Sequence, residues 1–280
     1  MKKVTSYYFS SPELSIHKIT SPPAHGMLVN SYIFETKNKL ILFDLPLLES
    51  YAAFIQNFVE RLNKPVDRIY ISHAHPDHFF GLTRFSEYNS YASKQCIDVI
   101  SQLGSQYLDF KRSQMPEPAD LPDVVTTPDN AVNDHTYSAD GIDFEIKVAE
   151  RVEYAEGLYI EIPAHDIIIA GDLVYNKVHH FIGERDENNE PCLPHWISFL
   201  KSLSPNDYDI IFPGHGEVSD SDLIQQSIDY LESLLPQLKE DATDESYRAF
   251  LAKEYPDYLG NEIIDVSSYF LFTLPQQKQF

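Results

Sequence analysis

The chain contains 280 residues, of which 43% are hydrophobic and 13% aromatic, so it can bury a sizeable core in one large domain or two small ones. Its 43 acidic residues outnumber the 21 basic ones and give a formal net charge of -22. This charge repels a phosphate backbone and argues against a nucleic-acid substrate or partner. The presence of only two cysteines excludes a disulfide scaffold.

Targeting and membrane signals are absent from the sequence pattern. The first 15 residues lack the apolar segment and the small-residue cleavage site of a signal peptide. No apolar run approaches the roughly 20 residues that a membrane-spanning helix requires. Cys96 and Cys192 are not spaced as a metal-binding pair. We therefore expect a cytoplasmic protein with reduced thiols and no membrane partner.

The first quarter of the chain predicts strands and one helix. Short runs of β-branched and aromatic residues between turn formers indicate antiparallel strands at residues 14–19, 28–35 and 39–44. Apolar residues at helical spacing predict a helix at residues 47–62, which Pro65 closes. The apolar run at residues 66–72 is typical of a buried strand, and it ends where a group of histidines begins.

A helix and a loop follow, and from residue 141 the chain repeats the order of strands, helix and strand. A helix is expected at residues 93–110, and the proline-rich residues 114–134 predict a surface loop. Strands are expected at residues 141–148, 157–162, 167–170 and 208–212, with a helix near residues 196–203 before the last of them. Roughly the last 60 residues indicate helices, because their apolar residues form one stripe at helical spacing.

A dense group of metal-binding side chains follows the strand at residues 66–72. Within six positions the sequence supplies His73, His75, Asp77 and His78. Imidazole nitrogens and carboxylate oxygens are ligands for zinc and its first-row neighbours. A chance cluster of surface histidines is the alternative, but packing does not explain this density. One loop could therefore serve two adjacent metal positions.

Two later strands each end in a single metal-binding residue beside glycine. Asp172 follows the apolar residues 167–170, and His215 follows the apolar residues 210–212. Glycine permits a tight turn and a close approach of the backbone, so both side chains could reach one site at the strand ends. Each signal alone is weak, but the three motifs in this order are specific.

These motifs resemble those of the metallo-β-lactamase superfamily. The run His-Ala-His-Pro-Asp-His at residues 73–78 is similar to its H-x-H-x-D-H motif, Asp172 to its bridging aspartate and His215 to its final histidine. The resemblance covers roughly residues 14–216. It implies an α/β fold, an αββα four-layer sandwich at residues 1–217, with a C-terminal helical extension at residues 218–280 packed on the same domain.

The resemblance also implies a ligand set for one or two zinc ions per chain. A further aspartate near the floor of the site would support the ligands. By analogy, the first metal is bound by His73 and His75, the second by Asp77, His78 and His215, Asp172 bridges the two, and Asp44 is the supporting residue.

One element of the family pattern is missing. The superfamily normally supplies another histidine to the first metal about 19 residues before the bridging aspartate, and this stretch contains none. Glu153 or Glu156 could ligate the metal instead, or both could face solvent. A carboxylate is a harder ligand than imidazole, so iron or manganese becomes possible beside zinc.

Three residues just beyond the bridging aspartate could also reach the pocket. They are Tyr175, His179 and His180. Either histidine could replace the absent ligand or contact the substrate, or both could pack in a loop near Trp196. Similar chains in the superfamily favour His179.

The resemblance implies a metal-dependent hydrolase that attacks a small ester, lactone, thioester or amide with an activated water. Asp77 would orient that water or carry its proton, and no serine or cysteine nucleophile motif is present. One alternative is an iron-dependent oxidoreductase on the same fold, similar to the sulfur dioxygenases. Another is a degenerate, non-catalytic metal-binding homologue. The partner would be a small molecule, and the C-terminal helices could pair two copies into a homodimer.

Overall fold

The computed structural model describes residues 5–186, 188–204, 206–220, 222–239 and 242–273. In this part of the chain the strands are β1 Thr5–Ser10, β2 Ser15–Thr20, β3 Asn30–Glu35, β4 Leu40–Phe43, β5 Val66–Tyr70, β6 Ser90–Ala92, β7 Asn130–Ala131, β8 His135–Ala139, β9 Ile142–Glu150, β10 Glu156–Ile162, β11 Ile167–Asn176 and β12 Ile210–Gly216. The helices are α1 Glu49–Leu62, α2 Pro76–Phe79, α3 Lys94–Gln114, α4 Leu193–Leu203, α5 Asp222–Leu234, α6 Asp244–Glu254 and α7 Asn261–Ser268.

The strands form two mixed sheets. The first has the order β1-β2-β3-β4-β5-β6-β7, antiparallel from β1 to β4 and parallel from β4 to β7. The second has the order β12-β11-β10-β9-β8, with only the β11–β12 pair parallel. Parallel neighbours end at the same edge of a sheet, so β4 and β5 end together, as do β11 and β12.

Three apolar layers hold the two sheets and the helices together. Phe34 and Phe43 of the first sheet meet Phe144 and Phe212 of the second. The outer face of the first sheet packs on α1 and α3, and that of the second packs on α4 and the C-terminal helices. Burying one such side chain contributes roughly 1.5–3 kcal/mol. The result is the αββα sandwich that the sequence motifs imply.

The C-terminal helices share one apolar core with the second sheet. Leu231 of α5, Tyr247 of α6 and Ile263 of α7 lie in the same buried cluster as Trp196 of α4 and Leu173 of β11. Within the described residues, no helix has both the length and the apolar character needed to cross a membrane.

Several elements differ from the sequence prediction. The strands β1, β6, β7 and β8 were not predicted, and β7 lies inside residues 114–134, which we expected to form only a loop. Its two residues pair with β6 and form the edge of the first sheet, and so short a strand has no detectable alternation of apolar and polar residues. Helix α3 continues to Gln114, past the predicted end at residue 110. The strands β11 and β12 extend through Asp172 and His215, which we expected to follow them.

Candidate metal centre

The candidate ligands converge where the two sheets meet at their strand ends. His73 follows β5 by three residues, and α2 carries Asp77 and His78 immediately afterwards. Asp172 and His215 lie on the adjacent parallel strands β11 and β12 of the other sheet. A single bridge between Val29 and His215 connects the two sheets beside this edge.

The first group of candidate ligands contains two histidines and two carboxylates. Nδ1 of His75 lies 3.1 Å from Oε1 of Glu153, and Nε2 of His73 lies 3.5 Å from Oε2 of the same residue. Nε2 of His73 is also 3.9 Å from Oδ2 of Asp172. One ligand atom from each of these four residues fits within 4.8 Å of the others. This is the geometry of a site that surrounds one metal ion.

The second group contains Asp77, His78 and His215, whose ligand atoms also lie within 4.8 Å of one another. Nε2 of His78 and Nε2 of His215 lie 3.5 and 3.6 Å from Oδ2 of Asp77. Both nitrogens are 3.3 Å from Oδ2 of Asp172. Asp172 therefore lies between the two groups, as a bridging ligand would.

Four candidate ligand atoms of this cluster are buried without hydrogen bonds among the described residues. They are Nε2 of His73, Nε2 of His78, Oε2 of Glu153 and Oδ1 of Asp172. An unpaired buried polar atom costs about 1–3 kcal/mol, and more when it is charged. A coordinated cation would satisfy all four atoms, because each is a nitrogen or an oxygen that zinc, iron and manganese accept. The residues present thus fit the metal that the fold implies.

Asp44 orients His78 directly and His73 through Ser72. Its carboxylate accepts hydrogen bonds from N and Oγ of Ser72 at 2.7 and 2.8 Å, and from Nδ1 of His78 at 2.8 Å. Because Oγ of Ser72 donates to Asp44, it accepts the proton on Nδ1 of His73, 2.8 Å away. With Nδ1 protonated, Nε2 of both histidines is left free to bind metal.

His215 is oriented by contacts with Met27 and Tyr175. Its Nδ1 lies 2.7 Å from the carbonyl oxygen of Met27, so Nε2 is again the free nitrogen. Tyr175 stacks on the His215 ring with a centroid distance of 4.6 Å. Asn30 donates hydrogen bonds to the carbonyl oxygens of Pro213 and Gly216, both at 2.9 Å. The loop that carries His215 is therefore braced from both sheets.

Glu153 reaches the cluster because of a turn between β9 and β10. Arg151 adopts a left-handed conformation with φ of 50°, and its N–H donates to the carbonyl oxygen of Ala155. A side chain at Gly157 would place its Cβ 2.5 Å from the carbonyl oxygen of Ser72. Glycine at this position therefore lets the turn approach the strand end that carries His73, and Glu153 is 1% exposed.

Gly214 has a similar role on β12. A Cβ atom at this position would lie 1.7 Å from Oδ1 of Asp172. No side chain fits there without moving the carboxylate or the strand. Gly214 thus permits His215 and Asp172 to approach the same point.

The charges of the cluster are arranged around one ionised carboxylate. Although burial favours the neutral acid, His78 and His215 hold the pKa of Asp172 well below its usual value. Burial and the negative charge of Asp172 raise the pKa of Glu153 well above its usual value. Burial, with His78 and His75 nearby, lowers the pKa of His73 well below its usual value. At His73 the cluster thus favours a neutral imidazole, the form that binds metal. The charges of Asp172 and Asp77, by contrast, raise the pKa values of His78 and His215 despite their burial.

The structure separates the two glutamates that the sequence left as alternatives. Glu153 lies in the first ligand group. Glu156 is half-buried at the start of β10, where Oε1 accepts a hydrogen bond from N of Gln95 at 3.2 Å, and it lies outside both ligand groups. Only Glu153 can take the place of the absent histidine.

Tyr175 contacts the cluster of candidate ligands, whereas His179 lies outside it. The Tyr175 hydroxyl lies 2.6 Å from Oδ2 of Asp172 and 3.2 Å from Oε1 of Glu153. His179 does not lie in the cluster, and its Nδ1 is instead 3.0 Å from the hydroxyl of Tyr230. The expectation that His179 contacts the pocket is therefore not supported by its position. The neighbouring His180 is the histidine that packs against Tyr175, with a centroid distance of 4.5 Å.

Sequence reasoning missed two side chains that shape the centre. Ser72 connects Asp44 to His73, and its signal was a polar residue at the end of an apolar strand. Tyr154 stacks on the His73 ring at 4.6 Å, and no local pattern distinguishes it from an ordinary core tyrosine.

Comparison with known proteins identifies the family. The model of the metallo-beta-lactamase superfamily matches residues 26–215, and the chain belongs to this superfamily. A search of curated proteins gives no significant match.

Solved structures resemble the chain in fold at low sequence identity. The metallo-beta-lactamase IND-7 is 18% identical, with a TM-score of 0.63 over 83% of this chain and 100% of its own. FIM-1 from Pseudomonas aeruginosa, in its mono-zinc form, is 17% identical, with a TM-score of 0.60 over 83% of this chain and 97% of its own. A metallo-beta-lactamase from Pontibacter korlensis is 18% identical, with a TM-score of 0.57 over 82% and 99% of the two chains.

Proposed function

We propose that the protein is a metal-dependent hydrolase of a small ester, lactone, thioester or amide. The observation that carries this proposal is the position of Asp172, whose Oδ2 faces ligand atoms of both groups at 3.3 to 3.9 Å. A carboxylate between two groups that each combine two histidines with a further carboxylate suits a centre with two adjacent metal ions. The structurally similar IND-7 and FIM-1 are metallo-beta-lactamases, and FIM-1 is in a mono-zinc form.

The proposed ligands divide between the two sites. His73, His75 and Glu153 would hold one metal, Asp77, His78 and His215 the other, and Asp172 would bridge them. When bound, such ions act as Lewis acids that activate water and polarise a carbonyl group.

Asp77 is the carboxylate best placed to handle a proton. It lies at the edge of the cluster, where its side chain is 9% exposed, whereas that of Asp172 is 2% exposed. A water that attacks a carbonyl carbon must lose a proton and be aimed at that carbon. We assign both tasks to Asp77, which also remains within reach of His78 and His215.

Tyr175 is a proton donor on the other side of the cluster. Burial and the charge of Asp172 raise the pKa of Tyr175 well above its usual value, so its phenol stays protonated at neutral pH. Its single O–H donates to Oδ2 of Asp172 in this structure, so the phenol would have to turn away from that carboxylate to donate a hydrogen bond to the oxyanion that develops as the carbonyl is attacked. Its stacking on His215 fixes the ring in that position.

Metal analysis and a substrate panel test this function. We expect elemental analysis of the purified protein to find one to two zinc ions per chain, and we expect a chelator to abolish hydrolysis of simple esters and lactones. Restoring zinc should restore the activity. Full metal content with no turnover of any ester, lactone, thioester or amide would instead indicate a non-catalytic binding protein.

A second function is favoured by Glu153. Because a carboxylate replaces an imidazole in the first group, this site is harder and more anionic than a site with three histidines, which suits iron. An iron-dependent oxidoreductase on the same fold is therefore the alternative. Predominant iron, with oxygen consumption on a sulfur-containing substrate and no hydrolysis, would support it over the hydrolase.

A further inference from the structure

A cavity of about 330 Å³ lies between α6, α7 and the residues that connect these two helices. His179, which follows β11 by three residues, lines the cavity as well. The volume suffices for a small organic molecule, because ligand pockets in proteins measure roughly 300–1,000 Å³. No residue that lines the cavity belongs to either candidate ligand group.

Four aromatic rings separate this cavity from the candidate metal ligand His215. Tyr258 lines the cavity and stacks on Tyr230 with a centroid distance of 5.5 Å, and Tyr230 stacks on His180 at 4.5 Å. His180 packs against Tyr175 at 4.5 Å, and Tyr175 stacks on His215 at 4.6 Å. The cavity therefore lies at the opposite end of the stack from the metal centre and is a separate site.

His179 presents a buried imidazole to the cavity. Its residue is only 3% exposed, and burial lowers its pKa to about 4, so the ring is neutral at neutral pH. Its Nδ1 lies 3.0 Å from the hydroxyl of Tyr230, which does not line the cavity. Its Nε2 makes no hydrogen bond with any residue that the structure describes. Nε2 is therefore the nitrogen that a molecule in the cavity can reach.

The buried hydroxyl of Tyr230 determines which nitrogen of His179 carries the proton. Burial raises the pKa of Tyr230 well above its usual value, so the phenol keeps its proton and needs an acceptor for it. Nδ1 of His179 is the acceptor that this hydroxyl reaches among the described residues. A neutral imidazole that accepts at Nδ1 carries its proton on Nε2. His179 thus offers a hydrogen-bond donor to the cavity.

Arg248 adds a second donor to the cavity wall. Its Nε donates to Oδ1 of Asp244 and its Nη1 donates to Oδ1 of Asp265, each at 2.6 Å. Its Nη2 makes no hydrogen bond with the part of the chain that the structure describes. The two carboxylates hold the guanidinium in place and outweigh its single positive charge. An uncharged acceptor oxygen is therefore a better match for this wall than an anion.

Aromatic and apolar side chains form much of the remaining wall. Tyr255 and Tyr258 pack at 5.0 Å with their planes inclined by 56°, and Tyr258 packs against His179 at 5.6 Å. Inclined rings suit a flat group that lies against the face of one ring and the edge of the other. Ile264 adds a buried apolar surface. The cavity thus combines two hydrogen-bond donors with an aromatic surface.

We propose that this cavity binds an uncharged planar ring that carries a carbonyl oxygen, as an aromatic amide does. The ring lies against Tyr255 and Tyr258, and the carbonyl oxygen accepts a hydrogen bond from Nε2 of His179, with Nη2 of Arg248 as the second donor on the wall. This site is independent of the proposed hydrolase function, because no candidate metal ligand contributes to it.

A packing role for the same residues predicts a different behaviour. If His179 and the two tyrosines only hold α6 and α7 on the sandwich, the cavity has no preference among small molecules of similar size. A selective site distinguishes ligands by charge and by the flatness of the ring. Selectivity among matched probes therefore separates the two roles.

Three matched probes test this selectivity on the zinc-loaded protein by ligand-observed nuclear magnetic resonance titration. Benzamide has the flat ring and the uncharged carbonyl group, benzoate replaces the amide by a negative charge, and cyclohexanecarboxamide keeps the amide but lacks the aromatic face. We expect benzamide to bind with a Kd on the order of 1 mM, as suits so small a ligand. The other two probes should bind at least about threefold more weakly.

Filling the cavity locates the binding. Ala252 lines the cavity and is exposed on α6, so Ala252→Phe adds a ring there without removing a contact of the core. We expect this variant to weaken benzamide binding about tenfold or more. Ala249→Phe is the matched control, because Ala249 is exposed on the same helix and does not line the cavity. The control should bind benzamide within about twofold of the wild type.

Two results would overturn the inference. One is equal affinity of the wild type for all three probes. The other is benzamide binding that Ala252→Phe leaves unchanged, which would place the ligand at the metal centre or elsewhere on the surface. A melting temperature for each variant confirms that it is folded, and Ala252→Leu fills the cavity with a smaller side chain if the phenylalanine variant is unstable. Because no step requires turnover, the result does not depend on whether the protein hydrolyses any ester or lactone.

Discussion

Nδ1 of His78 lies 2.8 Å from Oδ2 of Asp44, and this contact fixes which nitrogen of His78 faces the cluster. Asp44 has a φ of 60°, a left-handed conformation that is uncommon for residues other than glycine. The strain is offset by the three hydrogen bonds that the carboxylate accepts from His78 and Ser72. The backbone of Asp44 is thus held in a costly conformation that directs metal ligands.

Asp44→Asn should weaken metal binding without removing a ligand. The amide cannot accept every hydrogen bond that the carboxylate accepts, and it stabilises a protonated Nδ1 on His78 less well. We expect zinc affinity to fall roughly 10- to 100-fold, measured by competition with a chromogenic chelator. Asp140→Asn is the control, since the Asp140 carboxylate accepts hydrogen bonds from Thr36 and Asn38, away from the candidate ligands. Equal affinity in Asp44→Asn and the wild type would contradict the orienting role.

Glu153→Ala should lower metal content, whereas Glu156→Ala should not. Glu153 is buried in the first ligand group, and Glu156 bonds to Gln95 outside it. We expect elemental analysis to show the loss of about one metal equivalent per chain in the first variant alone. Retention of two metals by Glu153→Ala would show that Glu153 is not a ligand.

Glu153→His addresses the choice of metal. The variant restores an imidazole to the first group beside His73 and His75. Because imidazole is a softer and neutral ligand, we expect the ratio of zinc to iron in the purified protein to rise relative to the wild type. An unchanged ratio, after growth with both metals supplied, would mean that this position does not set metal identity.

Gly214→Ala should disrupt the centre through a steric clash. Its Cβ would lie 1.7 Å from Oδ1 of Asp172, far inside contact distance. We expect lower metal affinity and a lower melting temperature, with a loss of activity of about 100-fold, a size reported for small misplacements of catalytic groups. Gly141→Ala is the comparison, because φ there is 90° but the added Cβ meets no atom within 4 Å. That variant should lose stability while keeping wild-type metal affinity.

The buried imidazole of His180 predicts a loss of stability in acid. Burial lowers the pKa of His180 to about 3, compared with an ordinary value of 6.5. As the pH falls below about 6.5, the unfolded chain binds a proton that the folded protein binds only near pH 3. The free energy of unfolding should therefore decrease with falling pH across this range, by up to about 1.4 kcal/mol per pH unit.

His180→Phe should reduce this acid sensitivity. We expect the difference in unfolding free energy between about pH 6 and about pH 4.5 to shrink by about 1–2 kcal/mol, measured by urea unfolding of chelator-treated protein. Chelator treatment removes any contribution from metal release in acid. His25→Phe, a change on the exposed surface, controls for the loss of a histidine. Identical pH profiles for His180→Phe and the wild type would contradict a buried neutral His180.

The motifs along the chain were enough to predict a set of candidate ligands and, through their resemblance to the superfamily, the sandwich fold. The residues from His73 to His78 are close together in the chain, and a short loop after a buried strand keeps them together in any arrangement of the sheets. Asp172 and His215 could be recognised because each ends an apolar run beside glycine. Strand and helix patterns also indicated many of the individual elements, since burial of one face leaves a period of two or 3.6 residues, whereas the four layers were implied by the resemblance to the superfamily.

The tertiary structure decided which nearby residues contact the centre. Glu153 and Glu156 are three residues apart, and only the turn at Arg151 and the approach of Gly157 to Ser72 direct Glu153 inward. Adjacent residues on an extended backbone point in opposite directions, so pairing with distant strands and helices settles their contacts. The partners of Asp44 and the contact between the His75 and Phe181 rings depend in the same way on contacts between elements far apart in sequence.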